Sequence, residues 1–351
     1  MGGPDRRGIT RIRLLACGDV NLQHRERPAE AFDLVQEELA SADLRFADLE
    51  MCLYQARDRI VDKPGWTQSD VRMIDGLLAV GIDVLSCANN VTIGAEAIAS
   101  SLDVLDRHGI AHTGAGHNLT EASRPAIVER QGTRFGFLAA TAVYFPHGHA
   151  AGPNAPGVHA FACHTAYQPH PRVYELPGAP AITRSWPDPE DMHRLDAAIE
   201  ELRPRVDVLV IYFHWGVSGQ EELAEYQRTV GHRVIDAGAD LVLGSHAHVP
   251  QAVEVYRNRV IFYGLGNFAF DWHNMARHRS GLLAECLIEN RQIVHVSFKP
   301  VWRREDSLNQ PEVLGLETNR GREISDRVLR LSEAIGTTPR VTGNKVMVWR
   351  A

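Results

Sequence analysis

Three histidines stand at the ends of two strongly apolar runs. Residues 206–213 lead into His214-Trp-Gly216, and residues 239–243 lead into Gly244-Ser-His246-Ala-His248. Imidazole suits Zn, Fe, Mn or Ni far better than Ca or Mg. His246 and His248 are two apart, so on extended backbone both rings can face one point. Oxygen donors fall in equivalent places: Asp19 after the run 11–17, Asp48-Leu-Glu50 after 42–46, and Asn89-Asn90 after 82–87. Any one of these has an ordinary explanation, since lone histidines are usually satisfied by hydrogen bonds and paired amides suit a turn. Their coincidence at five strand ends makes Asp19, Glu50, Asn90, His214, His246 and His248 a candidate ligand set. Two carboxylates, an amide and three imidazoles suffice for two transition-metal ions sharing one bridging carboxylate, with positions open to water and substrate.

The elements that must position these residues are legible from periodicity. Continuous β-branched runs at 206–213 and 239–243 fit strands buried on both faces, and in open α/β sheets ligands gather beyond the carboxyl ends of such strands. Strands are expected at 11–17, 42–46 and 82–87, with helices at 30–39, from Ser69 as N-cap to Gly81, and at 95–108. Residues 126–130 and 136–141 read as a strand pair. From 143 to 187 the chain is rich in Pro, Gly and His and lacks periodicity, so it reads as an irregular excursion forming a lid or pocket wall. Within it, His147 and His149 read as solvent-facing. Helices follow at 188–202 and 221–237, then a hairpin at 253–256 and 260–263. Gly264-Leu-Gly-Asn267 is a turn able to bring backbone close to a ligand. Strands at 281–288 and 293–301, a helix at 323–334 and a strand at 346–349 form a carboxyl-terminal extension.

Composition sets outer bounds. The 351 residues show no repeat or evident linker, and 1–351 reads as one domain. A net charge of −7 argues against a broad nucleic-acid surface. Five cysteines without Cys-x-x-Cys spacing read as buried hydrophobes in a reducing compartment. The amino terminus carries no apolar run of signal-peptide or anchor type, so a cytoplasmic location without membrane anchor is expected.

The motifs Gly18-Asp19, Asp48-Leu-Glu50, Ala88-Asn-Asn90, His214-Trp-Gly216, Gly244-Ser-His-Ala-His248 and Leu265-Gly-Asn-Phe268 occur in that order. Together they resemble the CapA family of poly-γ-glutamate capsule biosynthesis proteins, a branch of the calcineurin-like metallophosphoesterases. The resemblance runs from residue 11 to 271. It implies an α/β fold of two packed mixed β-sheets flanked by helices, a four-layer αββα sandwich. It also implies two divalent transition-metal ions (Mn, Fe or Zn), with Asp19 and His248 on one, Asn90, His214 and His246 on the other, and Glu50 bridging. The expected activity is hydrolysis, metal-bound hydroxide attacking a phosphoester, amide or related acyl centre of an anionic small-molecule or peptide-like substrate. The alternative is a metal- or polyglutamate-binding protein of the same fold without turnover. Lys63, Trp66, Asn89 and Asn267 are the candidates for substrate contact.

Three departures from the family pattern stand out. Asn21 occupies the place of a histidine in related phosphoesterases. Asp48 replaces the usual asparagine before Leu-Glu and competes as a ligand. Val91 stands where the family has a histidine that acts as acid or charge stabiliser, and valine can do neither. His24 and His147 are the histidines considered as substitutes.

Overall fold

The computed structural model describes residues 11–23, 25–54, 69–272, 275–306 and 308–351. Two sheets lie face to face. In the first, the parallel strands Arg11–Asn21, Leu44–Leu49, Val84–Ser86 and Ala111–Thr113 continue on the other side into the antiparallel strands Ser280–Glu289, Gln292–Arg303, Lys345–Arg350 and Arg340–Thr342. The second has Val208–His214 at its centre, parallel to Leu241–Ser245 on one side and Thr133–Thr141 on the other. Arg259–Phe262 extends the parallel set, while Val253–Tyr256 and Ala126–Arg130 form antiparallel edges.

Alternation along the strands builds the layers. Val208, Val210 and Tyr212 point into the core between the sheets with Leu14, Ala16, Phe46, Phe137 and Leu243. Phe46 stacks on Phe137 at 5.4 Å and 7° across that interface. Leu209, Ile211 and Phe213 point the other way, against helices Pro189–Leu202 and Glu225–Asp236. Leu15, Cys17, Ala47 and Leu49 face the helices of the opposite outer layer, where Ala95–Arg107 buries Ile98, Leu102 and Leu105. The result is helix, sheet, sheet, helix, as the motifs implied.

Several local expectations are corrected. Residues 30–39 form two three-residue 3-10 turns, Pro28–Glu30 and Asp33–Val35, and the short helix Gln36–Ala40. Phe32, Val35 and Leu39 are buried at helical spacing all the same, but no side chain caps any of these starts. Asp70, not Ser69, caps the segment before Ile74–Ala79, accepting from Arg72 N at 2.9 Å. The backbone of Ser69 instead bonds to Cys52 and Tyr54. The excursion at 143–187 contains a hairpin, Cys163–Gln168 with Ile182–Pro187. Its side chains are mostly exposed, so no apolar alternation marked it.

One close approach ties the sheet edge together. A Cβ on Gly18 would lie 1.8 Å from the carbonyl oxygen of Gly266, and Asp19 N donates to that oxygen at 3.1 Å. The register of the first strand against Leu44–Leu49 shifts here, between Ala16 and Asp19. Because the obstacle is backbone, it cannot rotate away. Gly18→Ala is therefore expected to destabilise the fold by at least about 1–3 kcal/mol, as overpacking does. Urea unfolding checks this, and an unchanged midpoint would contradict the close approach.

Candidate metal centre

The carboxyl ends of the parallel strands of both sheets meet at one edge, and the chemistry-bearing residues meet there. One ligand atom from each of Asp19, Asp48, Glu50 and His214 lies within 4.8 Å of the others. Asp19 ends the bulged stretch of Arg11–Asn21 and pairs in register with Asp48. It accepts from Ser245 Oγ and, at 3.3 Å, from His246 N. Tyr212 OH bonds to the same Ser245 hydroxyl. Glu50 follows Leu44–Leu49; its N–H donates to Val20 O at 2.9 Å and its carbonyl accepts from Asn21 Nδ2 at 2.8 Å. Asn21, in the place of the related histidine, thus holds Glu50 by the backbone.

The histidines come from the second sheet. His214 Nε2 lies 2.7 Å from Asn90 Oδ1, 3.1 Å from His246 Nδ1 and 3.9 Å from Glu50 Oε1. His248 Nε2 is also 3.9 Å from Glu50 Oε1, and its Nδ1 is 3.5 Å from Asp19 Oδ2. All six residues of the expected set are therefore neighbours, with His214 and His248 both approaching Glu50 Oε1. The backbone that does this is not extended. Leu241–Ser245 ends before the pair, and His246 and His248 adopt positive φ of 85° and 58°. Non-glycine side chains adopt this region uncommonly, and here it brings two alternate residues to one centre.

The other sequence candidates separate. Lys63 and Trp66 lie outside the described residues, as does His24. Asn89 is fully buried: its amide donates to Leu49 O at 2.8 Å and contacts both Asp48 oxygens at 3.3 Å, while its Oδ1 accepts from Val91 N and Thr92. Asn267 is fully buried too, accepting from His248 Nδ1 at 2.8 Å and donating to His278 O at 2.9 Å. Both amides are engaged inside the protein, where they hold neighbouring ligand candidates. His147 is exposed as expected, but His149 is buried. Its Nε2 donates to Thr92 O at 2.9 Å and its Nδ1 accepts from Phe145 N at 3.0 Å, pinning the excursion onto the turn that carries Asn90. Ser245 and Tyr212 were missed, and Asn21 and His149 were noticed without these roles. Ser245 had a signal, a hydroxyl at the end of an otherwise apolar strand.

Burial dominates the electrostatics. It pushes Asp48 up to about 7, and it raises Asp19 and Glu50 well above the carboxylate range with further help from neighbouring carboxylates. Burial likewise depresses His214 and His248 to about 3, and His246 strongly. Glu50 Oε2 is buried with no hydrogen-bond partner among the described residues. A carboxylate oxygen so placed costs free energy unless a cation meets it. Neutral imidazoles and dehydrated carboxylates gathered about Glu50 fit a divalent metal ion.

Comparison with known proteins gives the family. The profile of the bacterial capsule synthesis protein family PGA_cap matches residues 13–272. The chain belongs to this family. Among PGA_cap relatives, the PGA biosynthesis protein CapA of Bacillus subtilis is 29% identical over 272 residues, covering 74% of this chain and 63% of that protein. The capsule biosynthesis protein CapA of Bacillus anthracis is 25% identical over 242 residues, 68% of this chain and 52% of its own length. The chain thus spans less than two thirds of either relative. A phosphatase from Mycoplasma pneumoniae of known structure aligns with TM-score 0.47 and 12% identity over 84% of this chain and 95% of that one. Among the described residues, no helix of this PGA_cap protein is long and apolar enough to cross a membrane.

The pKa directions set a pH dependence. A carboxylate raised on folding stabilises the metal-free fold below its unfolded pKa of about 4, and that contribution is lost as pH rises through the folded value, about 7 for Asp48. Cation binding must displace those protons, so it strengthens as pH rises. The depressed histidines are already neutral in this window and oppose nothing. The melting-temperature gap between Mn-loaded and chelator-treated protein should therefore widen from pH 5 to pH 8. Differential scanning fluorimetry at fixed ionic strength measures it.

Proposed function

We propose that this PGA_cap protein is a metal-dependent hydrolase acting on a phosphoester, amide or related acyl centre of an anionic small-molecule or peptide-like substrate. The observation that carries the reading is the buried convergence of Asp19, Asp48, Glu50 and His214, with ligand atoms within 4.8 Å of one another and Glu50 Oε2 left without a hydrogen-bond partner among the described residues. Asp19 and His248 would hold one divalent cation, Asn90, His214 and His246 a second, with Glu50 between them. Such cations, when bound, lower the pKa of water and neutralise charge on the substrate.

The chain's own residues supply alignment. Ser245 Oγ and His246 N bind the two oxygens of Asp19, which fixes its plane. Asn267 Oδ1 accepts a hydrogen bond from His248 Nδ1–H and leaves Nε2 facing Glu50. Asp48 is held by the Asn89 amide at 3.3 Å, whereas Glu50 Oε2 is unclaimed, which favours Glu50 over Asp48 as the shared ligand. Asp48 lies 3.5 Å from His214 Nδ1 and is suited to orient that ring.

A second reading has a specific observation behind it. Val91, beside Asn90, is 9% exposed and apolar, so this position delivers no proton. His149 is tied at both nitrogens to main-chain groups and does not stand in as a mobile acid. Binding of a polyglutamate-like anion without turnover is compatible with such a site.

One experiment tests the ligand assignment and a second separates these readings. Metal analysis of purified variants should show both occupancies reduced in Glu50→Gln, mainly one lost in Asp19→Asn, and metal content lowered in His246→Ala with far-UV circular dichroism preserved. Wild-type metal content in all three would remove the assignment. Mn-loaded protein is then assayed on aryl phosphates, alkyl phosphates and γ-glutamyl amides. A general acid typically contributes about 10²–10⁴-fold, chiefly where the leaving group is poor. If Val91 marks a lost acid, aryl esters turn over weakly, alkyl esters barely, and Val91→His raises the alkyl rate more than the aryl rate. Tight binding of γ-glutamyl peptides with no turnover of any substrate would favour the binding reading.

A further inference from the structure

Arg303 closes the strand Gln292–Arg303, beyond the stretch matched by the family profile, and is only 1% exposed. Its recorded hydrogen bonds go to carbonyl oxygens and no carboxylate. Nη1 donates to Phe270 O and to Asn309 Oδ1 at 3.2 Å; Nη2 donates to Met275 O at 2.8 Å and His278 O at 2.7 Å. Nε has no partner among the described residues. A guanidinium buried this way is costly to keep charged. What it gathers is the return from Asn267–Phe270 to Ser280–Glu289.

One acceptor leads to the metal edge. His278 O, 2.7 Å from Arg303 Nη2, also accepts from Asn267 Nδ2 at 2.9 Å. A carbonyl can only accept, so it decides which way the Asn267 amide faces, its nitrogen toward His278 and its oxygen toward His248. Asn267 Oδ1 then accepts from His248 Nδ1 at 2.8 Å. That bond places the imidazole proton on Nδ1 and leaves the Nε2 lone pair 3.9 Å from Glu50 Oε1.

We propose that Arg303 is a positioning residue for the metal centre, fixing the tautomer and direction of His248 through the His278 carbonyl and the Asn267 amide. The carboxyl-terminal strands thereby complete a site whose ligands all come from the family-matched stretch. The inference rests on His248 being a ligand. Partners of this kind typically alter metal affinity by about 10–100-fold when removed.

The test titrates chelator-treated full chain with Mn, in wild type, Arg303→Met, Arg303→Lys, Asn267→Leu and His248→Ala. The His248 tautomer is read in the metal-free proteins by long-range ¹H–¹⁵N correlation. Arg303→Met is expected to weaken Mn binding about 10–100-fold and to convert His248 from Nδ1–H to a tautomer mixture. Arg303→Lys should recover part of both. Asn267→Leu breaks the next link with Arg303 intact, so it serves if Arg303→Met does not fold, and it should produce the same two changes. Wild-type Mn affinity and an unchanged tautomer in either folded variant, even with a lowered melting temperature, would overturn the proposal and leave Arg303 as a loop anchor. Undiminished Mn binding in His248→Ala would remove the ligand assignment instead, while the tautomer of His248 in the Arg303 variants still reports on the relay itself.

Discussion

Asp19, Asp48 and Glu50 are each at most 1% exposed and share one small volume. Three ionised carboxylates cannot coexist in such a place without positive charge, so the fold is committed either to protons or to cations at this edge. Much of the surrounding architecture answers that constraint. Parallel strands of two sheets end together, the imidazoles are held neutral by burial, and amides rather than ammonium groups surround the carboxylates. No lysine or arginine pairs with these carboxylates among the described residues, so protons or a bound cation must balance the charge.

The fold was legible in the sequence wherever strands were buried on both faces. Val208–His214 is an unbroken apolar run because one set of alternate side chains fills the inter-sheet core and the other meets the helices. The grouping of Asp19, Glu50, Asn90, His214, His246 and His248 followed from the same logic, since donors placed just after parallel strands all emerge at one edge. The exposed hairpin Cys163–Gln168 and Ile182–Pro187 was invisible because its side chains mostly face solvent.

What escaped was conformation and long-range bonding. Spacing of two put His246 and His248 on one side of a strand, yet both sit in the left-handed region past the strand's end. Periodicity reports which residues are buried and is blind to φ. Asn89 and Asn267 were placed among candidate substrate contacts because a motif marks importance without saying which neighbour an amide serves. Arg303 could not be paired with Asn267 from sequence at all, because their link runs through a main-chain oxygen.

The first strand also bears on how the chain is made. Arg11–Asn21 is flanked by Leu44–Leu49 on one side and by Ser280–Glu289 on the other, with Arg11 bonding to Glu289 across 278 positions. A ribosome adding about 5–20 residues per second needs on the order of tens of seconds between those partners. Throughout that interval one edge of an apolar strand lacks its mate, and Gly18 waits for the carbonyl of Gly266. Such non-local pairing slows folding and lengthens exposure to aggregation. Nascent chains halted before the return of Ser280–Glu289 would leave the ribosome with a free strand edge at the amino-terminal end, the natural target of a chaperone.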